Sequence, residues 1–395
     1  MLRIFGPAQG ASDRRNTESC VSVQAVCDSD DIMKRVEEEC GPPGVEWETA
    51  SCVLCGSGEG RVVLAAADLL FGFPGRFQLV RCAGCGHHYV NPRPTRDTIG
   101  LFYPDDYGPH RDHQPPAQAE SIPSPAESPA DRSWYLSSPV RHIPGLRRLY
   151  YWLTESQSEI IPESVCQHPR GLEVGCGSGR FLDQLQASGW EAEGIEPAEA
   201  PARRCQERGL NVHIGDLESV KLDAGQFDVV FAWMVVEHLH DPEAALREMR
   251  RLLKSDGKLL FSVPNFGCWE SRVFGEYSYS LQLPIHLHQF TPRTIRRLLR
   301  QNGFRLERLI HQPNLLNVVG SIGLWMSRKF PKSGWGPQWV QFTNQPSMWG
   351  SLALAVPAKL LAALHQGGRL SVIATPDETW TEGGRSVGMR SPMQL

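Results

Sequence analysis

The chain has 395 residues, of which 41% are hydrophobic, and a formal net charge of −4 at pH 7. This length allows two or three domains, and the apolar content suffices for a packed core, which excludes a fully disordered chain. The small net charge gives no global electrostatic reason to expect binding to nucleic acid or membranes, although it does not exclude local patches.

Targeting signals and cysteine usage indicate the compartment. We find no apolar run of signal-peptide length at the N-terminus and no run of about 18 apolar residues that predicts a membrane span. The 11 cysteines include two C-x-x-C pairs and several single residues. Without a secretion signal, this pattern favours reduced thiols and a bound metal over disulfides. We therefore expect a cytoplasmic protein.

The first predicted elements are a flexible leader and a small metal-binding domain. Residues 1–48 lack sustained periodicity and predict the leader. Strand-like segments in residues 49–108 place the two C-x-x-C pairs at hairpin tips, where four thiolates can converge on structural zinc. The alternative is four free thiols in a domain with too little core to fold unaided. The predicted zinc ligands are Cys52, Cys55, Cys82 and Cys85.

A linker and a helical segment follow the predicted zinc ribbon. Residues 109–133 are rich in Pro, Ala, Ser, Gln and Glu, which is typical of a linker. Within residues 134–168, apolar residues recur at helical spacing from 134 to 159. We expect this helix to cover the mouth of the next domain.

Residues 169–375 alternate between apolar strand-like segments and amphipathic helical segments. This alternation predicts an α/β fold with a doubly wound, parallel, Rossmann-like sheet of seven strands. An apolar insertion at 312–368 separates the last two strands, no regular structure is predicted for 264–290, and residues 376–395 read as a flexible tail. The predicted strands end near residues 174, 195, 214, 233, 263, 310 and 374.

A glycine-rich loop joins the first of these strands to its helix. Three alternate glycines at 175, 177 and 179 allow a tight turn and a close approach of the ligand to the main chain. Arg180 occupies a position where dinucleotide binders need Gly or Ala, which argues against a nicotinamide dehydrogenase. Glu196 follows at the tip of the second strand, where a carboxylate can accept both ribose hydroxyls.

Together with Glu173, this loop resembles motif I of the class I S-adenosylmethionine-dependent methyltransferases. Further matches between residues 227 and 265 resemble the small-molecule branch related to ubiquinone-biosynthesis O-methyltransferases, and the resemblance covers residues 169–311. It implies S-adenosylmethionine as cofactor, with Asp216 on the adenine amino group and Trp233 under the methionine portion. The implied cofactor-binding residues are Glu173, Gly175, Cys176, Gly177, Gly179, Glu196, Pro197, Asp216, Leu217 and Trp233.

Methyl transfer from a sulfonium requires alignment, exclusion of water and, for a hydroxyl acceptor, removal of a proton. The candidate catalytic residues are His238, His286 and His288, each of which also has a purely structural interpretation. His286 and His288 alternate in a segment read as extended, so we expect them to point the same way. Related metal-dependent enzymes carry an extra acid before the Glu-His pair, and its absence here argues against metal-assisted catalysis.

The leading hypothesis is methyl transfer to a small-molecule, glycan or lipid-linked acceptor, with oxygen as the favoured atom. The apolar insertion could shield the acceptor, rest on a membrane surface, or form core or a dimer face. One alternative is a zinc-ribbon RNA methyltransferase that uses Arg296, Arg297 and Arg300. Another is a non-catalytic S-adenosylmethionine-binding scaffold. We expect no nucleic-acid partner, and the sequence leaves the acceptor and the oligomeric state open.

Overall fold

The computed structural model describes residues 40–104, 107–111, 159–162 and 167–381. The predictions for residues 1–39 and 382–395, most of the predicted linker, and the predicted covering helix up to residue 158 lie outside this part of the chain.

The front unit is a small β structure. Its strands are β1 (Trp47–Glu48), β2 (Gly60–Ala66), β3 (Phe77–Cys82), β4 (His88–Val90) and β5 (Arg93–Pro94), followed by 3₁₀ turns at Ile99–Phe102 and Gly108–His110. Strands β2, β3 and β4 form an antiparallel sheet, and β1 pairs with β5. Trp47 is buried, with its ring 6.1 Å from those of Phe77 and Phe102. The folded part therefore includes the end of the segment predicted as a leader.

A seven-stranded sheet forms the centre of the larger unit. The strands are β6 (Arg170–Val174), β7 (Glu191–Glu196), β8 (Asn211–Ile214), β9 (Phe227–Trp233), β10 (Leu253–Pro264), β12 (Phe304–His311) and β13 (Arg369–Pro376), in the order β12-β13-β10-β9-β6-β7-β8. Strands β6 to β10 pair in parallel, and β13 runs antiparallel to both of its neighbours. The predicted fold class is confirmed, but the sheet is mixed and not wholly parallel, because β13 enters from the opposite end after the insertion.

The helices cover the two faces of the sheet and build the insertion. They are α1 (Arg180–Ala187), α2 (Glu199–Glu207), α3 (Pro242–Leu252), α4 (Trp269–Phe274), α5 (Pro292–Gln301), α6 (Leu316–Lys329), α7 (Trp335–Asn344) and α8 (Met348–Ala363), with further 3₁₀ turns at Val236–His238 and Gly275–Tyr277. Asp241 caps α3 by accepting a hydrogen bond from the Ala244 amide at 2.9 Å. Thr291 and Thr294 form a reciprocal capping box at the start of α5.

Two short elements lie where the sequence predicts no regular structure. They are α4 and strand β11 (His288–Gln289), which pairs with β4 and thereby joins the larger unit to the front sheet. Helix α7 was not predicted either, because Gly336 and Pro337 at its start have low helix propensity. Packing against α6 stabilises the helix.

The front unit and the larger unit share one hydrophobic core. Leu54 and Tyr89 of the front unit belong to the same buried cluster as Phe290 and Leu298. The side chains of α5 reinforce this contact, because Arg297 Nε and Gln301 Nε2 both donate to the Leu54 carbonyl oxygen, at 3.2 and 3.1 Å. Helices long and apolar enough to traverse a bilayer do not occur among the described residues.

Candidate functional site

The glycine loop lies at the carboxyl end of β6, an interior strand of the sheet next to the central strand β9. Gly175, Gly177 and Gly179 have φ angles of 70°, 52° and 74°, which side-chain-bearing residues rarely adopt. A Cβ atom would also lie 2.6 Å from Cγ2 of Val235 at Gly175, and 2.6 Å from the Pro109 carbonyl oxygen at Gly177. The loop is therefore required to carry no side chains at these positions.

Glu196 ends β7 beside this loop and is 3% exposed. Its Oε2 accepts a hydrogen bond from the Gly177 amide at 2.8 Å, and its Oε1 accepts one from the Ala198 amide at 2.9 Å. Burial raises the pKa of this carboxyl, while the two amides act in the opposite direction. Each carboxylate oxygen can accept a further hydrogen bond. Glu196 can therefore bind two ribose hydroxyls, as the sequence predicts.

A turn of the front unit covers the glycine loop. The Ser178 amide donates to the Pro109 carbonyl oxygen at 3.0 Å, and His110 Nε2 lies 3.7 Å from Glu196 Oε1. Arg204 of α2 fixes this turn by donating to the His110 carbonyl oxygen at 2.6 Å. A bound cofactor must therefore share this space with Pro109 or displace it. No pattern in the sequence indicates this contact, because Pro109 begins the proline-rich segment predicted as a linker.

The buried polar atoms near the loop that lack a hydrogen-bond partner among the described residues include Glu173 Oε2 and Trp233 Nε1. Burial raises the pKa of Glu173 well above its usual range. Trp233 ends β9 and packs edge-on against Phe181 of α1, with ring centroids 5.5 Å apart. Because unpaired buried polar groups are costly, they indicate a ligand with matching donors and acceptors.

The remaining predicted cofactor residues lie at the same edge of the sheet. Asp216 follows β8, is exposed, and uses Oδ1 to accept a hydrogen bond from the Ser219 amide at 2.8 Å. Leu217 and Cys176 are buried, and Pro197 is exposed. The predicted positions therefore meet at the carboxyl ends of β6, β7, β8 and β9, where open α/β sheets bind ligands. The side-chain-free turn, the carboxylate and the unpaired atoms fit an adenosine with an amino-acid tail.

Beside the end of β9, the structure brings together Glu237, His238 and His286. The rings of His238 and His286 are perpendicular, with centroids 4.6 Å apart. Glu237 is fully buried, and neither of its carboxylate oxygens has a hydrogen-bond partner among the described residues. Glu237 is a site residue that the sequence analysis did not select, although its adjacency to His238 was a usable signal. Tyr103 of the front unit, 3.0 Å from His238 Nδ1, had no such signal.

Burial determines the protonation of this cluster. It lowers the pKa of His238 to about 4 and that of His286 well below the usual range, so both rings are neutral at pH 7. Burial also raises the pKa of Glu237 to about 8. Neutral imidazoles with such low pKa values offer lone pairs but are weak bases.

His288 faces a different neighbour. Its Nδ1 lies 3.2 Å from Nε2 of His87, and its Nε2 lies 3.1 Å from the Leu239 carbonyl oxygen, so both ring nitrogens are engaged at the junction with the front unit. His286 and His288 therefore have different hydrogen-bond partners, although their rings approach the neighbouring residues His238 and Leu239. The preceding segment forms turns instead of extended chain, with the His286 amide bonded to the Gln282 carbonyl oxygen at 3.0 Å.

The four predicted zinc ligands converge at the tip of the front unit. Cys52 Sγ lies 3.5 Å from Cys85 Sγ, Cys55 Sγ lies 3.4 Å from Cys82 Sγ, and all four sulfur atoms lie within 4.8 Å of one another. Tetrahedral zinc with Zn–S bonds of about 2.3 Å places its sulfurs about 3.8 Å apart. The donor set and its spacing therefore fit zinc.

The predicted basic surface of α5 is partly used by the fold. Arg297 donates to the Leu54 carbonyl oxygen and to Gln301, and Arg296 donates to the Pro292 carbonyl oxygen at 3.2 Å. These contacts reduce the number of guanidinium N–H groups of α5 that remain available to bind phosphates.

Comparison with known proteins identifies the larger unit. A family model described as a methyltransferase domain matches residues 148–309. Over 169 residues the chain is 30% identical to the ubiquinone biosynthesis O-methyltransferase of Aromatoleum aromaticum, an alignment that covers 39% of this chain and 72% of that protein. The chain belongs to the class I S-adenosylmethionine-dependent methyltransferases. The front unit and helices α6 to α8 of this methyltransferase lie outside the range of the family model.

Two further relatives show how far the likeness extends. The methyltransferase is 28% identical over 148 residues to the ubiquinone biosynthesis O-methyltransferase of Coxiella burnetii, with 34% of this chain and 63% of that protein covered, so it spans less than two thirds of that relative. A crystal structure from Thermotoga maritima, described as a possible histamine N-methyltransferase, shares 26% identity and a TM-score of 0.33 over 45% of this chain and 77% of that one.

Proposed function

We propose that this methyltransferase transfers the methyl group of S-adenosylmethionine to an oxygen atom of its acceptor. The observation that best supports this proposal is that two groups of residues lie next to each other at one edge of the sheet. The glycine loop, Glu196 and Trp233 fit the donor, and the buried cluster of Glu237, His238 and His286 follows directly after Trp233 in the chain.

The residues of this chain would divide the work as follows. Glu196 accepts the ribose hydroxyls, and Trp233 closes the donor pocket against Phe181. When bound, the donor supplies a methyl group that its sulfonium already activates. The histidine–glutamate cluster orients the acceptor hydroxyl and takes part in removing its proton, while burial excludes water. Two relatives carry O-methyltransferase names, which also supports oxygen as the target.

Four cysteines in the front unit support a structural zinc ion. We expect Cys52, Cys55, Cys82 and Cys85 to hold it, because four thiolates at tetrahedral spacing are a typical closed zinc site. The ion would fix the two knuckle turns, in which the Gly56 amide bonds the Cys52 carbonyl oxygen at 2.7 Å and the Gly86 amide bonds that of Cys82 at 3.0 Å.

The insertion favours a lipid-linked acceptor. Residues 312–368 contain four Lys or Arg residues and no Asp or Glu. On α8, Val356 and Leu360 are 53% and 61% exposed, and Leu364, one turn further, is 69% exposed. Phe330 and Trp335, next to Arg328, Lys329 and Lys332, are exposed as well. Apolar and aromatic side chains beside cations without acids are complementary to an anionic lipid surface.

Isothermal titration calorimetry and a turnover assay test this proposal. We expect the purified chain to bind S-adenosylmethionine and S-adenosylhomocysteine, and to form S-adenosylhomocysteine when a hydroxyl-bearing lipid-linked acceptor is supplied. A chain that ignores both compounds at millimolar concentration and binds a nicotinamide dinucleotide would disprove the assignment. Donor binding without turnover on any acceptor would instead favour a scaffold.

A further inference from the structure

Three potential metal ligands meet in the larger unit, outside the cysteine cluster. One ligand atom from each of Glu237, His238 and His286 lies within 4.8 Å of the other two. We propose that these three side chains bind a divalent transition-metal ion, such as zinc. The residues before Glu237 include Met234 and Val235, so no acid at these two positions contributes a ligand. Here His286 comes from a separate segment as the third ligand.

Both imidazoles are held in the tautomer that a metal requires. His238 Nδ1 lies 3.0 Å from the Ile285 carbonyl oxygen, and His286 Nδ1 lies 2.9 Å from the Ser280 carbonyl oxygen. Because a carbonyl oxygen only accepts, these contacts favour a proton on each Nδ1 and a lone pair on each Nε2. The Tyr103 hydroxyl, also 3.0 Å from His238 Nδ1, can accept from the same N–H. Backbone carbonyls orient metal-ligating histidines in this way. Among the described residues, no hydrogen bond engages either Nε2 atom.

The glutamate is otherwise difficult to explain. Glu237 is 0% exposed, and neither oxygen accepts a hydrogen bond from any described residue. A buried carboxylate in that state is costly unless a cation or donor pairs with it. Arg369 is the nearby cation that favours the charged form of Glu237, but both Glu237 oxygens and Arg369 Nε lack a hydrogen-bond partner among the described residues. A metal ion provides the missing partner.

The arrangement has the composition of a catalytic metal site. Two imidazoles and one carboxylate suit zinc and related ions. Bonds of about 2.1 Å place ligand atoms about 3.4 Å apart, and the three atoms here lie within 4.8 Å of one another. Three protein ligands leave a position open. An acceptor hydroxyl at that position would lose its proton more readily. This use of the ion rests on the proposed function, whereas metal binding itself does not.

Zinc content measured by mass spectrometry tests the site in the full chain. After loading with zinc and removal of loosely bound metal, we expect about two equivalents per chain, one at the four cysteines and one at this cluster. Glu237→Gln, which keeps the shape of the side chain, and His286→Ala should each retain about one. Cobalt loaded into the second site of the zinc-containing chain should give visible absorption without the charge-transfer bands of thiolate ligands.

His213→Ala is the matched control. His213 is half-exposed and its ring pairs with Glu193 at 3.2 Å, on the far side of the sheet, so this variant should keep two equivalents. Circular dichroism verifies that each variant is folded. A wild-type chain with one equivalent, or a Glu237→Gln variant with as much zinc as wild type, overturns the proposal. Neither result depends on donor binding, so failure of the metal proposal would not disprove the proposed methyl transfer, which calorimetry and turnover test separately.

Discussion

At the scale of single residues, backbone conformation restricts what the donor loop can contain. Gly177 combines a φ of 52° with a Cβ position only 2.6 Å from the Pro109 carbonyl oxygen, and its amide binds Glu196. A side chain here strains the turn and fills space that the donor needs. A substitution at Gly177 should therefore change both the shape of the loop and its affinity for the donor.

We expect Gly177→Val to weaken S-adenosylmethionine binding by more than about tenfold, because the new side chain displaces the loop and its hydrogen bond to Glu196. Calorimetry measures the affinity. Gly189→Val is the control, since Gly189 has a φ of 84° and open space around it. Undiminished affinity in Gly177→Val would mean that the pocket lies elsewhere.

Glu270 provides a second prediction at this scale. It is 2% exposed, and burial raises its pKa from 4.5 to about 7, against a stabilising hydrogen bond from Ser321. Because its folded-state pKa lies above the unfolded value, its contribution to stability is complete below about pH 4.5 and is lost as the pH rises through 7.

Glu270→Gln should therefore stabilise the chain at pH 8 by about 2–3 kcal/mol relative to wild type and change little at pH 5. Denaturant unfolding at the two pH values measures the difference. Glu207→Gln, on the exposed face of α2, controls for the loss of a negative charge. An equal effect of Glu270→Gln at both pH values would contradict this account.

At the scale of secondary-structure elements, the proposed lipid contact rests on helix α8. Val356, Leu360 and Leu364 recur every four residues and so form one exposed apolar stripe along the helix. Lys359 lies on the same helix, and residues 312–368 contain no Asp or Glu.

We expect the chain to sediment with phosphatidylcholine vesicles that contain phosphatidylglycerol, and to do so less at high salt. Leu360→Glu should weaken this binding about tenfold or more, because it removes an apolar contact with the lipid and adds charge repulsion with the anionic headgroups. The control is Val273→Glu. Val273 of α4 is about as exposed as Leu360 but lies outside the insertion, so this variant should bind vesicles as well as the wild-type chain does. A wild-type chain that ignores vesicles but dimerises, with dimers lost in Leu360→Glu, would make α8 an interface between copies.

At the scale of the whole molecule, the front unit with its four cysteines shares a hydrophobic cluster with the larger unit and is not a separate module. Strand β11 of the larger unit completes the front sheet. Two side chains of α5 donate hydrogen bonds to the carbonyl oxygen of Leu54, which lies between the two cysteines of the first C-x-x-C pair. Loss of zinc should therefore lower the stability of both units.

Cys82→Ser should remove one equivalent of zinc and lower the melting temperature of the chain in a single transition, because the two units share a core. Metal analysis and calorimetric melting measure these effects. Cys268→Ser, at a buried cysteine outside the cluster, should retain the zinc. Two separate transitions in Cys82→Ser would show that the units unfold independently.

The sequence by itself determined the features that local chemistry encodes. Alternating apolar segments predicted the class of sheet, the glycines and Glu196 predicted the donor loop, and the paired cysteines predicted a four-sulfur cluster that the structure assembles. These features depend on spacing within short stretches, where period and turn chemistry are visible. The reversal of β13, by contrast, has no local signature, because strand direction depends on where the chain re-enters the sheet.

Only the tertiary structure decided which distant side chains meet. His286 joins Glu237 and His238 because residues 281–287 fold into turns, and His288 is diverted to His87 in the front unit. The cover of Pro109 over the glycine loop likewise joins segments about 70 residues apart. Such contacts arise from packing between units, which periodicity along the chain does not record. The physical reason is that packing selects among many locally equivalent conformations.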